Sequence, residues 1–319
     1  MSWLVTGGAG YIGSHVVRAL DAAGLAPVVV DSLSSGLREF VPDHVPFIQA
    51  SILDEDTLTA LLVEHQVAGV IHLAGYKYAG ESVSHPLLAF EQNATGTARL
   101  LAAMERAGVD RMVFSSSAAV YGTPGEALVT EQTGTFPQSP YGQSKLIGEW
   151  LIRDQAVAAG LKHTSLRYFN VVGSGSEELF DTSPHNLFPL VFRALNSGQA
   201  PKIFGTDYDT EDGTCVRDYV HVADLALAHV EAAKQLAAGS GLEPVYNLGS
   251  GDGASVRQIM DAVAAVTGIG FTPLLEPRRP GDPARIVADG TLAARDLGWR
   301  MRHSLQDMVD SAWRASRAR

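Results

Sequence analysis

Along the first half of the chain, short continuous apolar runs alternate with longer stretches of helical period. Trp3-Leu4-Val5-Thr6 is a buried-strand run, a glycine turn follows, and residues 11–23 repeat their apolar positions with the period of a helix. Pro27-Val28-Val29-Val30-Asp31 is the next strand. The rhythm continues through strand 45–50, helix 54–65, strand 68–74, helix 87–107 and strand 111–115. After a loop at 122–140 come helix 141–159 and strand 162–168. Strands alternating with helices predict an α/β fold with a doubly wound parallel sheet over residues 1–170.

Past Asn170 the pattern loosens. A polar stretch at 173–186 interrupts it, and later elements are shorter and less evenly spaced, which predicts a smaller mixed α/β region at 171–319. Segments 220–230 and 245–248 are expected to return to the main sheet, and the basic tail 314–319 to fray.

Composition narrows the partners. The 319 residues carry a net charge of −11, which argues against phosphate-backbone binding and hence against nucleic acid. No basic-then-apolar leader and no run of about 20 apolar residues occurs, so the expectation is a cytoplasmic chain without a membrane partner. The single cysteine, Cys215, excludes an internal disulfide, and the ten histidines show no ligand spacing, so no metal is implied.

Three motifs carry chemistry. Gly7, Gly10 and Gly13 join the first strand to the first helix, where bare backbone N–H groups and the helix dipole suit a pyrophosphate. Their spacing is G-x-x-G-x-x-G, not the G-x-G-x-x-G of dinucleotide folds in general. Asp31 ends the second strand, where a carboxylate accepts from ribose hydroxyls and repels a 2′-phosphate, favouring NAD over NADP. Tyr141 and Lys145 stand four apart and share a helix face. An ammonium near the phenol favours phenolate, lowering a pKa that starts near ~10 and making Tyr141 a general base. The spacing alone also fits a packed ring and a solvated lysine. Ser115-Ser116-Ser117 ends a strand at the carboxyl edge of the sheet, where ligands of this architecture bind and a hydroxyl reaches both substrate and phenol.

Together these motifs, with Ser14-His15, Ala118-Ala119-Val120-Tyr121-Gly122 and Arg167-Tyr168-Phe169-Asn170, resemble the extended short-chain dehydrogenase/reductases. The run from Phe204 to Tyr219, which contains Cys215-Val216-Arg217-Asp218, is similar to the UDP-glucose 4-epimerase branch. The resemblance spans nearly the whole chain. It implies a Rossmann-like fold, NAD as cofactor, a UDP-sugar substrate, a homodimer through helices 87–107 and 141–159, and Ser117, Tyr141 and Lys145 as the catalytic trio.

By position it also implies that Gly7, Gly10, Tyr11, Ile12 and Gly13 hold the pyrophosphate. Asp31, Ser32, Leu33, Ser35 and Gly36 would hold the ribose, and Ser51 and Ile52 surround the adenine. Leu73, Ala74, Gly75, Lys77, Asn93, Ser115 and Phe169 would line the rest of the NAD site. For the nucleotide sugar it points to Lys77, Asn170, Asn186, Leu187, Lys202, Ile203, Phe204, Arg217, Tyr219, Arg279, Asp282 and Ile286. Two arginines suit a diphosphate, because a fixed fork of donors pairs phosphate oxygens.

The chain also departs from that pattern. Ser51 replaces a usual aspartate near the adenine, the loop at 170–186 is short, Tyr76 replaces a common leucine, and Ile286 is smaller than the tyrosine often found there. The implied activity is 4-epimerisation of UDP-glucose and UDP-galactose. UDP-N-acetylglucosamine remains an alternative through Ile286, and UDP-glucuronate through Arg193 or Arg285. Ala118 and Ala119 supply no acid for a dehydratase, and a non-catalytic NAD-binding regulator would usually lose the tyrosine or lysine.

Overall fold

The computed structural model describes residues 1–126, 128–279 and 282–318. In chain order the first elements are β1 (Ser2–Thr6), α1 (Tyr11–Ala22), β2 (Ala26–Asp31), β3 (Phe47–Gln49), α2 (Glu55–Glu64) and β4 (Val67–His72). Next come the short helices α3 (Ala79–Ser82) and α4 (Pro86–Phe90), a π-helical turn (Glu91–Thr95), α5 (Gly96–Ala107), β5 (Arg111–Ser115), β6 (Leu128–Val129), α6 (Pro140–Ala159) and β7 (Lys162–Tyr168). The remainder is β8 (Asn170–Val172), α7 (Leu187–Asn196), β9 (Lys202–Phe204), β10 (Val216–Arg217), β11 (Tyr219–His221), α8 (Val222–Ala237) and β12 (Val245–Leu248). It ends with β13 (Ala254–Ser255), α9 (Val256–Thr267), β14 (Leu274–Glu276), β15 (Arg285–Ala288), α10 (Thr291–Asp296) and α11 (Leu305–Arg317).

Seven parallel strands form the main sheet in the order β12-β7-β5-β4-β1-β2-β3. The strand order reverses between β1 and β4, which opens a crevice at their carboxyl ends. Side chains alternate across the sheet with period two. Trp3, Val5 and Val29 therefore enter one core with α1 and α8, while Leu4, Val28 and Val30 enter the other with Leu58, Leu100 and Ile152. A third core joins α7, α9 and α11 through Phe188, Phe192, Ile259 and Trp313.

The structure departs from the sequence pattern at helix 87–107, at segment 220–230 and at the basic tail. Helix 87–107 is broken by the π-helical turn, because Asn93 there accepts from Tyr76 N at 2.7 Å and donates to Ser144 Oγ at 2.8 Å, locking the turn onto α6. Segment 245–248 is the edge strand β12 of the main sheet. Segment 220–230 adds no strand to it: β11 pairs with β8 in a separate two-stranded sheet, and α8 packs on the main sheet's face. The basic tail through Arg317 is helical, held by Arg314 to Asp310 at 2.8 Å and by Arg317 over the Trp313 ring, and Arg319 lies outside the described residues.

Candidate active site

The glycine loop follows β1 directly and is closed by its own backbone, Gly10 N donating to Gly7 O. Gly7 takes a φ of +74°, and a Cβ on Gly13 would stand 2.1 Å from Gly7 O, so neither position admits a side chain without moving the loop. Asp31 fixes the same loop from β2. Its carboxylate accepts from Ala9 N at 3.0 Å and Leu33 N at 2.8 Å, while burial pushes its pKa up against those two bonds. Ser51, where a carboxylate was the usual choice, accepts from Leu53 N at 3.2 Å and so shapes its turn.

Helix α6 starts where its sequence dictates, with Ser139 capping Gly142 N at 3.2 Å and Pro140 in the first turn. Gly148 lets it approach β5, since a Cβ there would meet the Phe114 ring at 2.8 Å. That approach brings Lys145 onto the strand end, where its Nζ donates to Ser115 O at 2.9 Å. Tyr141, one turn earlier, hydrogen-bonds through its phenol to Ser117.

The electrostatics correct one expectation. Lys145 was expected to lower the Tyr141 pKa, but burial raises it and the Ser117 hydrogen bond alone opposes the rise. The ammonium is spent on the Ser115 carbonyl, and burial brings Lys145 itself down to about 8 against the attraction of Glu149.

A single cavity of about 890 Å³ joins these parts, near the upper end of the ~300–1,000 Å³ typical of cofactor clefts. Gly7, Gly10, Tyr11, Ile12, Gly13, Asp31, Ser32, Ser35, Gly36, Ser51, Ile52, Leu73, Ala74, Gly75 and Lys77 line one side. Ser117, Tyr141, Lys145, Phe169 and Asn170 stand at its middle with Asn186, Leu187 and Tyr219 across from the glycine loop. The bare glycine cradle, the carboxylate at the end of β2 and the lysines Lys77 and Lys145 on the cavity fit a dinucleotide.

Other expected residues lie off this wall. Asn93 and Ser115 are buried behind it, Asn93 in the bonds above and Ser115 with Oγ 2.8 Å from His229 Nε2. Leu33 packs against the main core. Ile203 is buried in the third core and Ile286 packs with Tyr121, Val129 and Phe169, so neither offers its side chain to a ligand, contrary to expectation. Lys202 pairs with Glu276 at 2.7 Å. Phe204, Arg217, Arg279 and Asp282 form a second cluster: Arg279 stacks on Phe204 at 4.0 Å, and Arg217 lies 3.5 Å from Asp282. Tyr219, whose phenol feels Arg217 and Asp282, links this cluster to the cavity.

Residues 3–249 match the NAD dependent epimerase/dehydratase family. The UDP-glucose 4-epimerase of Azospirillum brasilense is 44% identical over 310 residues, spanning 96% of this chain and 89% of that protein. The chain belongs to the NAD dependent epimerase/dehydratase family. A crystal structure of UDP-glucose 4-epimerase from Stenotrophomonas maltophila with NAD and formylated UDP-arabinopyranose matches 100% of this chain and 98% of its own at TM-score 0.95 and 41% identity. One from Brucella ovis in complex with NAD matches 98% and 97% at TM-score 0.94 and 38% identity.

In this family member several wall residues had escaped the sequence reading. Asp181 sits in the polar stretch at 173–186 that interrupts the alternating pattern. Burial raises its pKa, while Asn186 Nδ2 and Ser183 N donate to it at 2.7 and 2.9 Å. Tyr168 lines the cavity with its hydroxyl donating to Ser115 Oγ at 3.3 Å. Of the two sequence candidates for a 6-carboxylate, Arg193 is on the wall through α7, whereas Arg285 turns to Asp252 O at 2.8 Å. Of the missed residues Asp181 and Tyr168, only Tyr168 had a signal, its place in the Arg167-Tyr168-Phe169-Asn170 motif.

Proposed function

We propose that the chain is an NAD-dependent UDP-hexose 4-epimerase acting on UDP-glucose and UDP-galactose. The observation that carries this reading is the union, in one cavity, of a glycine cradle with Ser117, Tyr141 and Lys145. In it Gly7, Gly10 and Gly13 hold the pyrophosphate, Asp31 the adenosine ribose, and residues 1–170 form the NAD half. Asn186, Leu187, Tyr219 and the Arg217, Arg279 and Asp282 cluster hold UDP from residues 171–319.

When bound, NAD supplies the acceptor and return donor of a hydride at C4′ and a positive ring that favours phenolate. Tyr141 Oη takes the proton of the 4′-hydroxyl, with Ser117 orienting that hydroxyl and the phenol together. Lys145, held on the Ser115 carbonyl, keeps a positive charge one helical turn from Tyr141 while the phenol is ionised. Anchorage by the arginine cluster keeps UDP in place while the 4-keto hexose turns over, so most binding free energy falls on the nucleotide. Tyr141 then returns the proton to the 4′-oxygen, and inversion follows without net oxidation.

Arg193 on the cavity wall supports a second reading, a UDP-hexose bearing a 6-carboxylate such as UDP-glucuronate. The exposed Leu87, Trp150 and Val157 on α4 and α6 support a homodimer through these helices. Purified protein given UDP-glucose, UDP-N-acetylglucosamine or UDP-glucuronate without added NAD, with products followed by NMR, tests the assignment. The UDP-glucose/UDP-galactose mixture is expected. Conversion of UDP-glucuronate alone selects the second reading, and conversion of none rejects both.

A further inference from the structure

Tyr141, Lys145 and Glu149 follow one another at single-turn intervals on α6. The first two reach the cavity and the third does not. Glu149 is 7% exposed and Arg167, its partner on β7, 5%. The carboxylate takes three donors: Ser116 Oγ at 2.5 Å, Arg167 Nε at 2.9 Å and Arg167 Nη2 at 2.5 Å. Arg167 Nη1 donates to the Tyr121 hydroxyl at 2.9 Å, and that hydroxyl donates to Asn247 Oδ1 at 2.7 Å. Asn247 completes the chain on β12, with Nδ2 donating to Val129 O and its backbone N to Glu131 Oε1. A buried ion pair of this kind adds little stability over well-packed apolar residues of the same volume. Its place, one helical turn behind the catalytic lysine, gives it another use.

Lys145 is 6% exposed, with Nζ on Ser115 O and 5.0 Å from the Phe114 ring centroid. The titratable and charged groups around it are Tyr141 and Glu149 on α6, His72 on β4, Tyr168, His163 and Arg167 on β7, and His229 on α8 beyond Ser115. Burial holds His72 and His229 neutral, near 3 and 4, and pushes the Tyr168 phenol up. Glu149 is the one carboxylate in the set. We propose that Glu149, clamped by Arg167 and Ser116, is a positioning residue for the reaction, its buried carboxylate keeping the Lys145 ammonium charged beside Tyr141. The proposal rests on the epimerase reading above.

Attraction to Glu149 raises the proton affinity of Lys145 against burial, so removing the carboxylate must release the proton at lower pH. The chain has five lysines, Lys77, Lys145, Lys162, Lys202 and Lys234, few enough for NMR of 13Cε-labelled lysine, with the Lys145 signal assigned from Lys145→Arg. Wild-type Lys145 is expected to titrate at about 8, and Glu149→Gln to lower that midpoint by about one pH unit. The alkaline limb of kcat/KM should move down by the same amount. Tyr121→Phe, which leaves all three donors on Glu149, should leave both unchanged. If the unpaired Arg167 prevents Glu149→Gln from folding, Glu149→Gln/Arg167→Met removes both charges and should lower the midpoint in the same direction by a smaller amount, because the opposing Arg167 charge is lost as well. An unmoved Lys145 midpoint overturns the proposal even if activity falls, because a structural role alone lowers activity at every pH. A wild-type protein inactive on every UDP-sugar would instead sink the epimerase reading, while the NMR titration still decides the role of Glu149.

Discussion

On the glycine-loop side of the cavity the chain presents backbone, and on the side of α7 and β11 it presents side chains. The first wall is set by Gly7, Gly13 and the Asp31 carboxylate bonded to two backbone N–H groups, all fastened to central strands of a seven-stranded sheet. The second is lined by Asn186, Leu187 and Tyr219, and the charged side chains beyond it are long and already paired, Arg217 with Asp282 and Lys202 with Glu276. Backbone cradles hold a ligand in one pose, whereas flexible side chains on a diphosphate hold one end and leave the other free. A reaction that needs a fixed hydride acceptor and a hexose that turns over needs both kinds of wall.

The largest effect should come from the residue standing between the walls. Tyr141→Phe is expected to cut kcat by ~10³-fold, within the range of general acid–base catalysis, with UDP affinity by calorimetry unchanged. Arg217→Ala should do the reverse, raising KM ~10–100-fold with kcat nearly kept, as loss of a charged hydrogen bond common to ground and transition states does. A comparable fall in kcat would mean that the second wall also sets the chemistry. Gly13→Ala should destabilise by about 1–3 kcal/mol in denaturant melts, the usual range for overpacking. Gly241→Ala, where a Cβ meets nothing within 4 Å, should be neutral.

The smallest effect concerns the seam. His15 Nδ1 bonds Tyr11 O, and Nε2 accepts from Gly175 N at 2.9 Å, so the neutral ring ties α1 to the loop leading to α7. Burial lowers its pKa from 6.5 to about 4. The unfolded chain therefore binds the proton first, and the ring's contribution is present above pH 6.5 and lost as pH falls through 4. The fall of Tm between these pH values should be shallower by a few degrees in His15→Gln.

The meeting of the glycines, Asp31, Ser117, Tyr141 and Lys145 on one cavity was legible in the sequence, because local backbone geometry and helical spacing set it. The parallel sheet was legible for the same reason, from apolar runs of strand length. Segment 220–230 was not, since three strand residues run straight into the helix and share its apolar character. Ile286 and Ile203 show the limit of reasoning by position. Both occupy matched sites, yet their side chains face the core. Asp181 had no sequence signal because its burial comes from the fold of a polar loop. The raised Tyr141 pKa could not be read from spacing either, as it depends on where the Lys145 ammonium finds its acceptor.

Central to the account is a hydride that leaves C4′, stays on the protein and returns to the opposite face of the same sugar. Supplying UDP-glucose deuterated at C4′ in ordinary water, and reading the UDP-galactose formed by NMR, tests it directly. Deuterium fully retained at C4′ is the expected result. Its replacement by solvent hydrogen would contradict the account.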